Sequence, residues 1–144
     1  MARGYPDFFG YSTFPWYGEI KEDAASVVAA IGATTTILEL LGKRVIYTLA
    51  VIATGTDRID NDLFTVHIDG NLVGQFDWAW LENHYCWPTS PTDFYGIFWD
   101  PEIYVGEARM QGLFGIGQSI KIDYINNGAA AVTVQCYVDS GIIK

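Results

Sequence analysis

The run Ala131–Val138 alternates without a break, with Val132, Val134, Cys136 and Val138 on one side and Ala131, Thr133, Gln135 and Tyr137 on the other. A period of two belongs to a strand with one buried face, because a helix would scatter the same residues around its circumference. The pattern recurs upstream. Leu63–Asp69 places Phe64, Val66 and Ile68 inward and Leu63, Thr65, His67 and Asp69 outward, and Gln118–Ile125 puts Ile120, Ile122 and Tyr124 on one face. Lys43–Thr54 has two largely apolar faces, Val45, Tyr47, Leu49, Val51 and Ile46, Thr48, Ala50, Ile52, as expected of a strand covered on both sides.

Turn residues punctuate these runs. Asp69-Gly70-Asn71 predicts a tight reversal into Leu72-Val73. Asn126-Asn127-Gly128 tolerates positive φ and predicts a carboxy-terminal hairpin between Gln118–Ile125 and Ala131–Val138. Between Lys21 and Leu41, Gly32 divides two segments, and Thr34-Thr35-Thr36-Ile37 suits a pleated surface better than a helix, so two strands are expected. Glu102–Met110 reads as a further strand. Phe76–Trp99, with Trp78, Trp80, Trp87, Trp99, Pro88 and Pro91, reads as a long insertion holding one helical turn near Asp77–Asn83. Loops of that length often carry contacts or binding, which makes these four tryptophans candidate receptor or interface residues.

Roughly eight short strands with no long helix predict a single all-β domain, an antiparallel β-sandwich of jelly-roll type, over residues 19–144. Residues 1–18 differ. They hold three glycines, two prolines and seven aromatics with no regular period, which predicts an extended arm too apolar to stay in water. It packs either on its own domain or on a neighbouring subunit.

The 144 residues suffice for one core. Only 17% are charged and 15% are aromatic, so some large rings are expected to lie at an interface with other subunits. A net charge of −9 argues against a nucleic-acid partner, and Lys43-Arg44 reads as a solvated strand edge. No apolar run approaches the roughly 20 residues of a membrane span. A soluble chain without a secretion signal is expected.

The residues capable of chemistry are sparse. His67 and His84 lack partners at metal-ligand spacing, and His84 with Cys86 makes only half a site. Asp57, Asp60, Asp62 and Asp69 are dense enough for calcium but lack the glycine and closing glutamate of a calcium loop, so a hydrophilic loop is the better reading. Asp100, Glu102 and Glu107 lie near aromatics that could stack on sugars, at separations sequence does not show. Gly112–Gly117 lacks the ending of a phosphate loop and reads as a flexible turn. Cys86 and Cys136 are expected to be reduced, with Cys136 in the core. No catalytic residue, metal or cofactor is expected, and the chain reads as a non-enzyme.

The opening Arg3-Gly4-Tyr5-Pro6-Asp7-Phe8-Phe9-Gly10, with Phe14-Pro15 and Tyr17-Gly18 following, resembles the start of small virion proteins of tailed bacteriophages. In those proteins the arm precedes a β domain whose end is similar to Ile122-Asp123-Tyr124-Ile125-Asn126-Asn127 and a final strand. The resemblance implies a structural component of the particle, made in the host cytoplasm and placed on the capsid surface. It implies either a subunit of a tail or fibre attachment or, as the leading expectation, a decoration (cement) protein, commonly a homotrimer, that binds the major capsid protein through Arg3, Tyr5, Phe8, Phe9, Phe14 and Trp16. The Trp-rich stretch has no counterpart in that pattern and suits a receptor- or carbohydrate-binding module of a tail or fibre instead.

Overall fold

The computed structural model describes residues 17–84, 94–100, 105–110 and 114–143. Its elements are β1 (Tyr17–Ala29), β2 (Thr34–Leu41), β3 (Arg44–Gly55), β4 (Leu63–Ile68), β5 (Asn71–Asp77), α1 (Trp78–His84), β6 (Phe94–Asp100), β7 (Val105–Met110), β8 (Phe114–Ile116), β9 (Ser119–Ile125) and β10 (Val132–Ile143). They form two antiparallel sheets. One has the order β1-β10-β3-β7-β6, with β8 also paired to β3, and the other has the order β2-β9-β4-β5.

The pairings β4·β5, β3·β7, β2·β9 and β1·β10 are nested around the β4–β5 turn. A long hairpin rolled up so that β10 meets β3 and β9 meets β4 gives this order, the double-sheet jelly roll. At the tip, Asp69 and Gly70 both have positive φ (51° and 81°), the two-residue turn whose twist matches that of the flanking strands.

The inner faces follow the alternation. Val132, Val134, Cys136 and Val138 are buried against Phe64, Val66, Ile120, Ile122 and Tyr124 from the opposite sheet. Burying each large aliphatic side chain contributes about 1.5–3 kcal/mol. Part of the two-sided apolar character of β3 is a β-bulge. Asp139 pairs with Thr48 and Ser140 with Ile46, leaving Tyr47 as an extra residue. The inward set therefore changes parity, from Ile46 to Leu49, Val51 and Ala53, all fully buried. A second shift, between Thr36 and Leu38, brings both Ile37 and Leu40 inward from β2.

Four expectations are corrected. The segment Asn126–Gly128 does not close a hairpin, because β9 and β10 belong to different sheets and the chain crosses between layers there. Phe76–Trp99 is not one insertion, since it contains the end of β5, α1 and most of β6. The helical turn expected near Asp77–Asn83 is present as α1. Phe114–Ile116, expected in a flexible turn, pairs with Arg44–Ile46. Tyr17 and Gly18, expected in the arm, already belong to β1.

Candidate functional site

At one end of the sandwich, the backbone N–H of Trp80 donates to Asp77 Oδ1 at 2.6 Å, capping the start of α1. This places Trp78 in the core at 0% exposure, its ring 5.3 Å from that of Phe64. The backbone of Gly106 lies against the other side of the indole, where a Cβ would come within 2.6 Å of ring carbons. The indole N–H donates to Tyr124 Oη at 3.1 Å, and that hydroxyl donates to Asp62 Oδ2 at 2.8 Å. Asp62 Oδ1 accepts the Asn127 N–H at 2.8 Å. Asn126 donates to the carbonyls of Ala29 and Ala130 and accepts the N–H of Gly128. Burial pushes Asp62 above the usual carboxylate range, and burial beside Asp62 pushes the Tyr124 hydroxyl up as well. This network ties together α1, the β3–β4 loop and the crossing between the sheets.

A second network lies on the outer face of the four-stranded sheet. Asp123 Oδ1 accepts from Thr36 at 2.7 Å, and its Oδ2 lies 2.8 Å from Lys121 Nζ and 3.6 Å from His67 Nε2. Hydrogen bonding and charge from Asp123 raise the Lys121 pKa. Thr65 Oγ1 also meets His67 Nε2, at 3.3 Å. Hydroxyl, imidazole and carboxylate are thus adjacent, but hydroxyl and carboxylate approach the same nitrogen. A proton relay of the Ser-His-Asp kind uses both nitrogens, so the cluster is a cross-strand ladder of paired polar groups.

Asp69 organises a third site. Its exposed carboxylate accepts the consecutive N–H groups of Gly117, Gln118 and Ser119 at 2.6–3.2 Å. These bonds hold its pKa below the usual range. The β4–β5 tip is thereby fastened to the chain between β8 and β9. Arg44 is likewise committed, at 3.0 Å from Asp23 and 3.2 Å from Ser140 Oγ, which corrects its expected place on a solvated edge; Lys43 is exposed.

The four aspartates considered for calcium do not converge. Asp62 faces Tyr124, Asp69 lies at the other turn, Asp60 pairs with Arg58, and Asp57 accepts the Arg58 N–H. Among the described residues, no group of three His, Cys, Asp or Glu side chains is placed to hold a metal ion. Glu107 pairs with Arg109 at 2.9 Å, and Glu102 lies outside the described residues. Cys136 is a core residue as expected, and burial pushes its thiol up to about 12, far from a reactive thiolate.

Of the candidate binding tryptophans, Trp78 is corrected to a core residue whose ring cannot meet a ligand, whereas Trp80 is 45% exposed on α1. Trp99 lies in β6, while Trp87 and Cys86 fall outside the described residues. So do Arg3, Tyr5, Phe8, Phe9, Phe14 and Trp16 of the arm.

What sequence reasoning missed is a surface, the outer face of the six-stranded sheet. Its cross-strand rows are Glu22·Asp139·Thr48, Ala24·Tyr137·Ala50·Arg109, Ser26·Gln135·Ile52·Glu107 and Val28·Thr133·Thr54·Val105. Across β1, β10 and β3 the first row holds two carboxylates and the other three hold no charged side chain, in a chain of net charge −9. Val28 is 65% and Tyr137 37% exposed. The outward positions of the notional two-sided strand, Ala50 and Ile52, were the signal for it. No family model and no curated protein matches this chain.

Proposed function

We propose that the chain is a structural assembly protein, a capsid decoration protein of a tailed bacteriophage that binds the major capsid protein and copies of itself. The observation that carries this reading is the uncharged patch on the outer face of the six-stranded sheet, from Ala24 to Val28 across β1, β10 and β3, bordered by the strand into which the arm leads. An exposed face of small, uncharged and apolar side chains suits a protein contact better than it suits solvent. Double-sheet jelly rolls also build viral capsid domains, an analogy of fold rather than of site. The Ile122–Asn127 run of the resemblance adds support of another kind. Asp123, Tyr124, Asn126 and Asn127 each hold a network or the crossing between sheets, so this run is a signature of the scaffold.

In this reading the arm supplies the anchor through Arg3, Tyr5, Phe8, Phe9, Phe14 and Trp16. Replacing the five aromatics by alanine in the full chain should abolish cosedimentation with shells lacking the protein. Undiminished binding by that variant would contradict the assignment of the anchor.

A second reading, a receptor- or carbohydrate-binding module of a tail or fibre, draws on the exposed ring of Trp80. It predicts glycan binding that Trp80→Ala removes, and a blank glycan array counts against it.

A further inference from the structure

The strand β1 spans 13 residues at the edge of the six-stranded sheet, and among the described residues it pairs only with β10. Such an edge presents a row of backbone donors and acceptors, and proteins that keep it solitary interrupt it with charge, proline or a bulge. Here those devices are confined to one end. Lys21, Glu22 and Asp23 are charged and the pairing with β10 shifts between Tyr17 and Ile20, but the register from Ile20 to Ala29 is regular. Ala24–Ile31 contains neither charge nor proline. Ala24, Ser26 and Val28 point outward and are exposed, while Ala25, Val27 and Ala29 point inward.

We infer that β1 pairs antiparallel with β1 of a second copy, about a two-fold axis at Ser26. The occupant follows from charge and symmetry. Two chains of net charge −9 repel each other over most approaches, and the uncharged stretch Ala24–Ile31 with the uncharged patch beside it, Tyr137, Gln135 and Thr133 on β10, lowers that repulsion at the contact. Outward residues must meet outward residues in a continuous sheet, so the axis at Ser26 sets Ser26 opposite Ser26 and Ala24 opposite Val28. Glu22 then faces Ala30 and Asp23 faces Ala29, so no carboxylate opposes another. The two uncharged patches merge into one, with Glu22 and Asp139 of each copy at its border.

This pairing is isologous and gives a dimer, or an assembly containing two-fold axes, in place of the trimer that the virion resemblance implies. It goes beyond the decoration reading and stands whether or not the protein binds shells.

The test is sedimentation of the full-length protein with Ser26→Lys and Ser26→Glu, at an exposed position where neither change touches the core. The wild type should sediment as a dimer. Each variant alone sets two like charges opposite one another and should weaken association by about tenfold or more. An equimolar mixture of the two should recover the dimer. A monomeric wild type overturns the inference, as does an oligomer of any size that both variants leave unchanged, or a mixture that fails to re-associate.

Discussion

The outer faces of the two sheets differ in where their polar groups point. On the four-stranded sheet, Thr36, Asp123, Lys121, His67 and Thr65 satisfy one another across three strands. On the six-stranded sheet, the rows from Ala24 to Val28 across β1, β10 and β3 present Ala, Ser, Val, Thr, Gln, Tyr and Ile, and charge lies around them: Glu107 with Arg109 on β7, Glu22 opposite Asp139 in the next row, and Asp23 paired with Arg44. A face whose polar groups are mutually bonded is finished when the monomer folds. A face of exposed aliphatic and aromatic carbon, beside an edge that no other described strand covers, is in the proposed assembly finished by another chain.

The comparison breaks first where the monomer itself is held. Asp62→Ala removes the acceptor of Tyr124 Oη and of the Asn127 N–H, both in the network that joins the sheets. Leaving those donors unpaired should cost about 3 kcal/mol in urea unfolding. Gly106→Ala, on the inner side of β7, drives a methyl into the Trp78 ring. Overpacking of this kind should cost about 2 kcal/mol by the same measurement.

The latch at Asp69 adds a pH signature. Its carboxyl is held below the usual value, so the folded state gains stability above the unfolded value near 3.8 and loses it as pH falls through the lower folded value. The melting temperature of the wild type should therefore exceed that of Asp69→Asn at pH 5 and above, with the gap closing as pH falls below 3.8. Asp62 has the opposite sign. Its raised value means the folded state takes up a proton first, so its contribution favours folding as pH falls, and comparison of the two Asp69 forms cancels it.

The smallest effect on the monomer is expected on the uncharged face. Val28→Lys, at a 65% exposed side chain, should change monomer stability by less than about 0.5 kcal/mol in unfolding extrapolated to low protein concentration. A large loss there would mean that the face is already covered within one chain.

Alternation made the buried faces legible. Val132, Val134, Cys136 and Val138, and Phe64 with Val66, lie where a period of two puts them. Connectivity was less legible for a physical reason. The Asn126-Asn127-Gly128 run shows that the chain turns, but the sheet that the next strand joins depends on Asn126 reaching the carbonyls of Ala29 and Ala130, contacts distant or invisible in local pattern. Asp62, in a run rich in polar residues, carries no local mark of burial; its partner Tyr124 arrives 62 residues later. The bulge at Tyr47 imitated a strand apolar on both sides, since a shift of parity and a second apolar face look alike in sequence. Trp78 and Trp80 are two residues apart, and only the helical turn between β5 and the following chain sends one inward and leaves the other exposed.

Amide hydrogen exchange of the full chain over a dilution series tests most directly whether the six-stranded sheet is the face completed by assembly. The account predicts that the amides of Glu22–Val28 on the side of β1 away from β10 are protected at high concentration and lose protection on dilution, while β2 and β5, the edges of the other sheet, do not change. Concentration-dependent protection at β2 or β5, or none at β1, would contradict it.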